Sequence, residues 1–198
     1  MQSNQKDSDV KRYKDETLNV YIVQLLPGQC YASASDEHIT TVLGSCIAVC
    51  LRDKLTGIGG MNHFMLPGRS TDEKEGEVAR FGTHAMEILI NDLLKLGADK
   101  SRLVAKIFGG GDMFQSEQGI GVRNAAFAKE FLILESIDLV GEDIGNSFAR
   151  KIRFAPKSGK VMVKKLRSLH NKQVQESELL YASSLSIPPE NGDLELFG

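Results

Sequence analysis

Thr40-Thr41-Val42-Leu43-Gly44-Ser45-Cys46-Ile47-Ala48-Val49-Cys50-Leu51 is rich in apolar and β-branched residues and broken only by Gly44-Ser45, so it reads as a strand. Asp53-Lys54-Leu55-Thr56-Gly57 then reads as a hairpin connection to a second strand, Gly57 to Leu66. Working outward, Leu18 to Leu26 gives a strand upstream. Downstream, Phe81, Met86, Leu89, Leu93 and Leu96 mark an amphipathic helix over Val78 to Leu96, stopped by Gly97. Leu103 to Phe108 is a further strand, Gly109-Gly110-Gly111-Asp112 a turn, and Asn124 to Leu134 a second helix with Ala126, Phe127, Phe131 and Leu134 inward. Ser136 to Val140, Ala149 to Phe154 and Lys160 to Leu166 alternate as strands, the last two joined by a turn at Pro156 to Gly159. The expected class is α/β, with layered, mixed and mostly antiparallel sheets and two main helices packed outside. Strand, helix, strand units are too few for a parallel doubly wound sheet.

The chain has 198 residues, 41% hydrophobic and 25% charged, which suits one globular domain with a core that needs no staple. We place a flexible extension at 1–17, the folded domain at 18–167 and a partly disordered extension at 168–198. The net charge of -2 excludes nucleic acid as a dominant partner, but nine Lys or Arg and no acid fall between Arg150 and Lys172. The remainder then carries 15 basic against 26 acidic residues, so a basic docking patch for an acidic partner is expected there. Cys30, Cys46 and Cys50 form neither a CxxC pair nor a zinc box, and no signal or membrane-spanning stretch is visible. These features predict a reducing, cytoplasmic location with no membrane insertion and no metal.

A thiol is the best intrinsic side-chain nucleophile once its proton can be removed. Cys50 lies in an apolar run and reads as core, and Cys30 follows a Pro-Gly turn. Cys46 follows Gly44-Ser45, where a sharp bend can present sulfur and neighbouring N–H groups together, as acyl transfer requires. His63 is the candidate base: with the hairpin centred on Lys54 and Leu55, it falls nearly opposite Cys46. Along a continuous strand Thr40 shares the face of Cys46, which makes it the expected orienting group for the imidazole. The triple glycine lacks any Gly-Lys-Ser/Thr sequel, so a tight strand exit is favoured over a phosphate loop.

Thr40 to Cys46 and Gly60-Met61-Asn62-His63-Phe64-Met65-Leu66-Pro67 resemble the nucleophile and histidine motifs of the CheD chemoreceptor glutamine deamidases. Arg80-Phe81-Gly82, Lys106 to Gly110, Ile120-Gly121 with Arg123-Asn124, Gly141 to Gly145 and Val161 to Leu166 continue the resemblance in order. It implies Cys46, His63 and Thr40 as catalytic residues, and a layered α/β fold like that of toxin-type cysteine deamidases. The backbone of Gly44 and Ser45 would serve the oxyanion. It further implies cofactor-independent hydrolysis of glutamines on the cytoplasmic helices of methyl-accepting chemotaxis receptors, in chemotaxis adaptation, and a CheC phosphatase as a partner in organisms that have one. Arg80, Phe81, Arg123 and Asn124, with Lys164 and Lys165 of the basic run, are candidate substrate or partner contacts. Departures from the family pattern lie at Asn146-Ser147, Ala149-Arg150 and Ser158-Gly159. The rival readings of the same couple are a thiol protease, a transglutaminase and an esterase acting on methylated receptors; a rival of a different class is a non-catalytic or weakly catalytic regulator that binds a CheC-type phosphatase.

Overall fold

The computed structural model describes residues 10–67, 75–112, 119–166 and 168–185. Ten strands form two five-stranded sheets. One holds β1 (Lys11–Asp15), β2 (Val20–Gln24), β4 (Glu37–Leu43), β9 (Arg150–Ala155) and β10 (Lys160–Lys165), in that spatial order. The other runs β3 (Cys30–Ser33), β6 (Gly59–Phe64), β5 (Ile47–Asp53), β7 (Leu103–Gly109) and β8 (Asp138–Ile144). Pairing is antiparallel except for β2 with β4 and β7 with β8. Helices α1 (Glu75–Lys95) and α2 (Ile120–Leu134) cover the outer face of the second sheet, and α3 (Ser168–Ser184) follows β10.

The run from Thr40 to Leu51 is two strands. Gly44, Ser45 and Cys46 carry the chain from β4 in one sheet to β5 in the other. Strand β5 is buried on both faces, which is why it reads as unbroken apolar sequence. Ile47, Val49 and Leu51 pack toward α1 and α2 with Met86, Leu89, Leu93 and Phe131, whereas Ala48 and Cys50 join Ile39, Leu43, Met61, Ile152 and Phe154 between the sheets. The site lies at the edge of this second layer, where the chain changes sheets.

Several boundaries differ from expectation. Helix α2 is phased so that Asn124, Ala125, Ala128, Phe131 and Leu132 face inward, while Ala126 and Leu134 are exposed. Leu134 lies in the last turn of the helix and is largely exposed. The N-terminal extension is shorter than 1–17, because Lys11–Asp15 pairs with β2 as a charged edge strand of the kind that resists further pairing. Ser168–Ser184 forms a helix; the predicted extension at 1–9 and 186–198, and Arg167 of the basic run, lie outside the described residues.

Candidate active site

The hairpin register is offset by two residues from the one expected. Asp53 holds the turn: its Oδ1 accepts from the N–H groups of Leu55 and Thr56, and the N–H of Gly57 donates to the Asp53 carbonyl. The turn is thereby centred between Leu55 and Thr56, and His63 pairs with Ala48, not Cys46. Cys46 lies one residue before β5, yet its sulfur still comes within 4.8 Å of a His63 ring nitrogen. A diagonal reach replaces the expected cross-strand pair.

Parity along the strand also fails where the chain changes sheets. Ile39 and Leu43 face the inter-sheet core, so Thr41 shares their face and meets His63 on the opposing sheet, with its Oγ1 2.8 Å from His63 Nδ1. Thr40 points the other way and donates to the Ile152 carbonyl at 2.7 Å. The residue on the imidazole is therefore Thr41, not Thr40, because Gly44 to Cys46 does not continue the pleat of β4.

The Thr41 hydroxyl has one proton, and the Leu25 carbonyl stands 2.8 Å from its oxygen to receive it. His63 Nδ1 must then carry the hydrogen of the Thr41 contact, which leaves Nε2 as a bare lone pair. Nε2 is buried and has no hydrogen-bond partner. Burial lowers the His63 pKa to about 4, so the ring is neutral at physiological pH.

The loop from Gly44 to Cys46 is pinned through its carbonyls. Gly44 O accepts from Gly111 N and Cys46 O from Gly110 N, each at 2.7 Å, and Ser45 O accepts from Asn124 Nδ2 at 2.9 Å. Gly109 must lack a side chain, since a Cβ there would sit 2.2 Å from the Cys46 carbonyl oxygen, and its φ is +107°. The triple glycine is thus a brace for the cysteine loop. With all three carbonyls held, the three N–H groups converge on one carboxylate, that of Glu178 in α3. Gly44 N and Cys46 N donate to Oε1 at 2.8 and 3.0 Å, and Ser45 N and Ser45 Oγ donate to Oε2 at 2.8 and 2.7 Å. These amides form an anion-binding nest beside the thiol.

The Cys46 thiol is raised well above its ordinary pKa, first by burial and then by the Glu178 charge and hydrogen bond. With Glu178 seated, thiol and imidazole are both neutral. Cys46, His63 and Glu178 also form a donor set of a type that can hold zinc, with ligand atoms within 4.8 Å of one another. Both Glu178 oxygens, however, are already engaged by four protein donors.

The remaining candidates scatter. Asn124 is buried and bridges Ser45 O and the N–H of Leu66, so it positions the cysteine loop and is closed to a partner. Arg80 is exposed and Phe81 half-buried on α1, and Arg123 reaches the Pro67 carbonyl from α2. Lys164 and Lys165 are exposed on the edge strand β10. The basic run is not one surface, since Arg150 is fully buried and binds Asp143 and the Gly145 carbonyl. Asn146 adopts a left-handed φ of +66°, which asparagine tolerates better than most residues.

A family model described as CheD chemotactic sensory transduction matches residues 65–165. A protein of Janthinobacterium sp. (strain Marseille) is 48% identical over 189 residues, covering 93% of each chain. The chain belongs to the CheD family. A relative from Herminiimonas arsenicoxydans is 46% identical with the same coverage, and one from Dechloromonas aromatica 47% identical over 94% of each chain. All three relatives bear the name "Probable chemoreceptor glutamine deamidase CheD", the last with the number 1. Among the described residues of this CheD chain, no helix is long and apolar enough to cross a membrane.

Sequence reasoning missed Thr41 and Glu178. Thr41 was within reach had Gly44-Ser45 been read as the end of a strand. Glu178 carries no local signal, because it lies in a weakly amphipathic segment and is recruited from 132 residues away from Cys46.

Proposed function

We propose that this protein is a glutamine deamidase that converts specific glutamines of chemotaxis receptors to glutamates through a thioester on Cys46. The observation that carries the reading is the convergence, on one buried point, of a thiol, an imidazole lone pair and three preorganised N–H donors. The names of the family's relatives supply the substrate class. Cys46 is the nucleophile, and His63 Nε2 accepts its proton as the sulfur attacks the side-chain carboxamide carbon. The N–H groups of Gly44 and Cys46, which converge on one oxygen of the seated carboxylate, bind the resulting oxyanion; in transition-state terms, each such donor contributes up to about 10²–10³ in rate. The imidazolium returns its proton to the departing ammonia. Water, deprotonated by the same Nε2, then cleaves the thioester and leaves a glutamate, while Thr41 keeps the ring in the Nδ1–H tautomer. Each turnover adds one negative charge to a receptor helix.

Incubation with a recombinant receptor cytoplasmic fragment, followed by peptide mass mapping, tests the reading. Ammonia release with a gain of about one dalton at discrete glutamines, abolished by Cys46→Ala, is expected. Shortened fragments would instead indicate a protease, and methanol from a methylated receptor an esterase. Absence of any product would turn the reading toward a binding module for a CheC-type phosphatase.

A further inference from the structure

Helix α3 is attached to the body in an unusual way. Of its described side chains, Glu178 alone is fully buried, and it is also the one that enters the nest beside Cys46. Val174, Gln175, Tyr181 and Ala182 line the same face and are only half-buried, while Leu179 and Leu180 remain 56% and 73% exposed on the other side. The helix approaches the body closely at Gly28, where an added Cβ would lie 2.9 Å from the Tyr181 hydroxyl. A single charged anchor with shallow packing around it describes a removable occupant better than a core element.

The chemistry of the anchor is specific. A glutamyl carboxylate held by the Gly44, Ser45 and Cys46 amides, next to a thiol, is the group that remains when a glutamine carboxamide has been hydrolysed there. Its two oxygens stand for the product carboxylate, one of them in the place of the oxyanion. We propose that α3 is a tethered product mimic: Glu178 fills the pocket that receives the carboxamide of a substrate glutamine, so the C-terminal helix competes with the receptor helix for the site. This rests on the deamidase reading and deepens it, since it assigns both how the substrate is presented and what holds the enzyme back. The glutamine enters from one face of an α-helix laid along the line of α3. The connection from Lys165 to Ser168 is short, so the effective concentration of the mimic is high and a substrate must outcompete it.

Two substitutions in the full-length chain test this. Glu178→Ala should raise the rate of Cys46 carbamidomethylation by iodoacetamide by at least about tenfold and increase kcat/KM on a receptor fragment, because the open form no longer competes with a seated carboxylate. Glu178→Gln places a carboxamide on the nucleophile. The Cys46 sulfur should bond to that carbon, the C–N bond break, and ammonia leave with the proton delivered through His63. Water should then cleave the thioester, restoring the thiol and a glutamate. The intact chain would gain about one dalton with stoichiometric ammonia, and the double variant with Cys46→Ala would not. Glu178→Gln is nearly isosteric and decides the matter should Glu178→Ala unfold the chain. A carboxamide at position 178 that persists while receptor glutamines are hydrolysed would overturn product mimicry, as would an alkylation rate unchanged by Glu178→Ala. Accelerated alkylation with no ammonia from any substrate would uphold α3 as the occupant and sink the deamidase reading instead.

Discussion

Thr41→Val is the substitution that most sharply separates the observed site from the one expected along a continuous strand. The two side chains are nearly identical in shape, so the change deletes the hydroxyl and little else. It leaves two buried groups unpaired, His63 Nδ1–H and the Leu25 carbonyl, both of which had stood 2.8 Å from Oγ1. An unsatisfied buried donor costs about 1–3 kcal/mol. That penalty falls on the tautomer whose Nε2 is a base, so the reactive form is depopulated and kcat should drop about 5- to 150-fold with KM little changed. Thr40→Val removes only the hydrogen bond to the Ile152 carbonyl, on the far face of β4, and should change kcat by less than about twofold at a stability cost of about 1 kcal/mol. Steady-state ammonia release on a receptor fragment, alongside thermal unfolding, reads both variants, and Thr41→Ser should recover most of the rate. If Thr40→Val proves the more damaging of the two, or Thr41→Val turns over at the wild-type rate, the tautomer argument is wrong.

Gly109→Ala should lose at least about tenfold in kcat and about 1–3 kcal/mol of stability, since its Cβ would press on the Cys46 carbonyl oxygen at a φ of +107° and turn the nest; activity and a thermal melt check it. His63, buried and neutral with a pKa near 4, should make the fold pH-sensitive. The unfolded chain, whose imidazole titrates near 6.5, binds the extra proton first, so stability is complete above about pH 6.5 and falls by up to about 3 kcal/mol as pH drops toward 4. His38, also lowered by burial, contributes in the same direction, so urea unfolding of His63→Asn beside the wild type isolates the His63 share; equal slopes for the two would contradict the assignment.

Much of the architecture is legible in local pattern. The apolar run of β5, the hairpin at Asp53, the stripe of α1 and the β9–β10 turn all report burial or backbone geometry that neighbouring residues encode. The candidate nucleophile and base were legible for the same reason, through Gly44-Ser45 before Cys46 and through the hairpin to His63. What escaped depended on the third dimension. The sequence from Thr40 to Leu51 does not say that its two halves belong to different sheets, and that single fact moved the orienting hydroxyl by one residue. The register slipped because Asp53 closes a wider turn than the shortest hairpin would. Asn124, a candidate substrate or partner contact by resemblance, is a buried strut, while Glu178 comes from a helix whose own sequence gives no hint of a docking face.

The three stations of the site belong to different parts of the sandwich: Thr41 to one sheet, His63 to the other, and Cys46 to the strap between them. The thickness of the filling formed by Ile39, Leu43, Met61, Ile152 and Phe154 therefore sets the Thr41–His63 separation. Trimming a methyl from that filling would touch no polar group, yet it would alter proton placement on the ring, so turnover becomes a ruler for how tightly the two sheets are clasped.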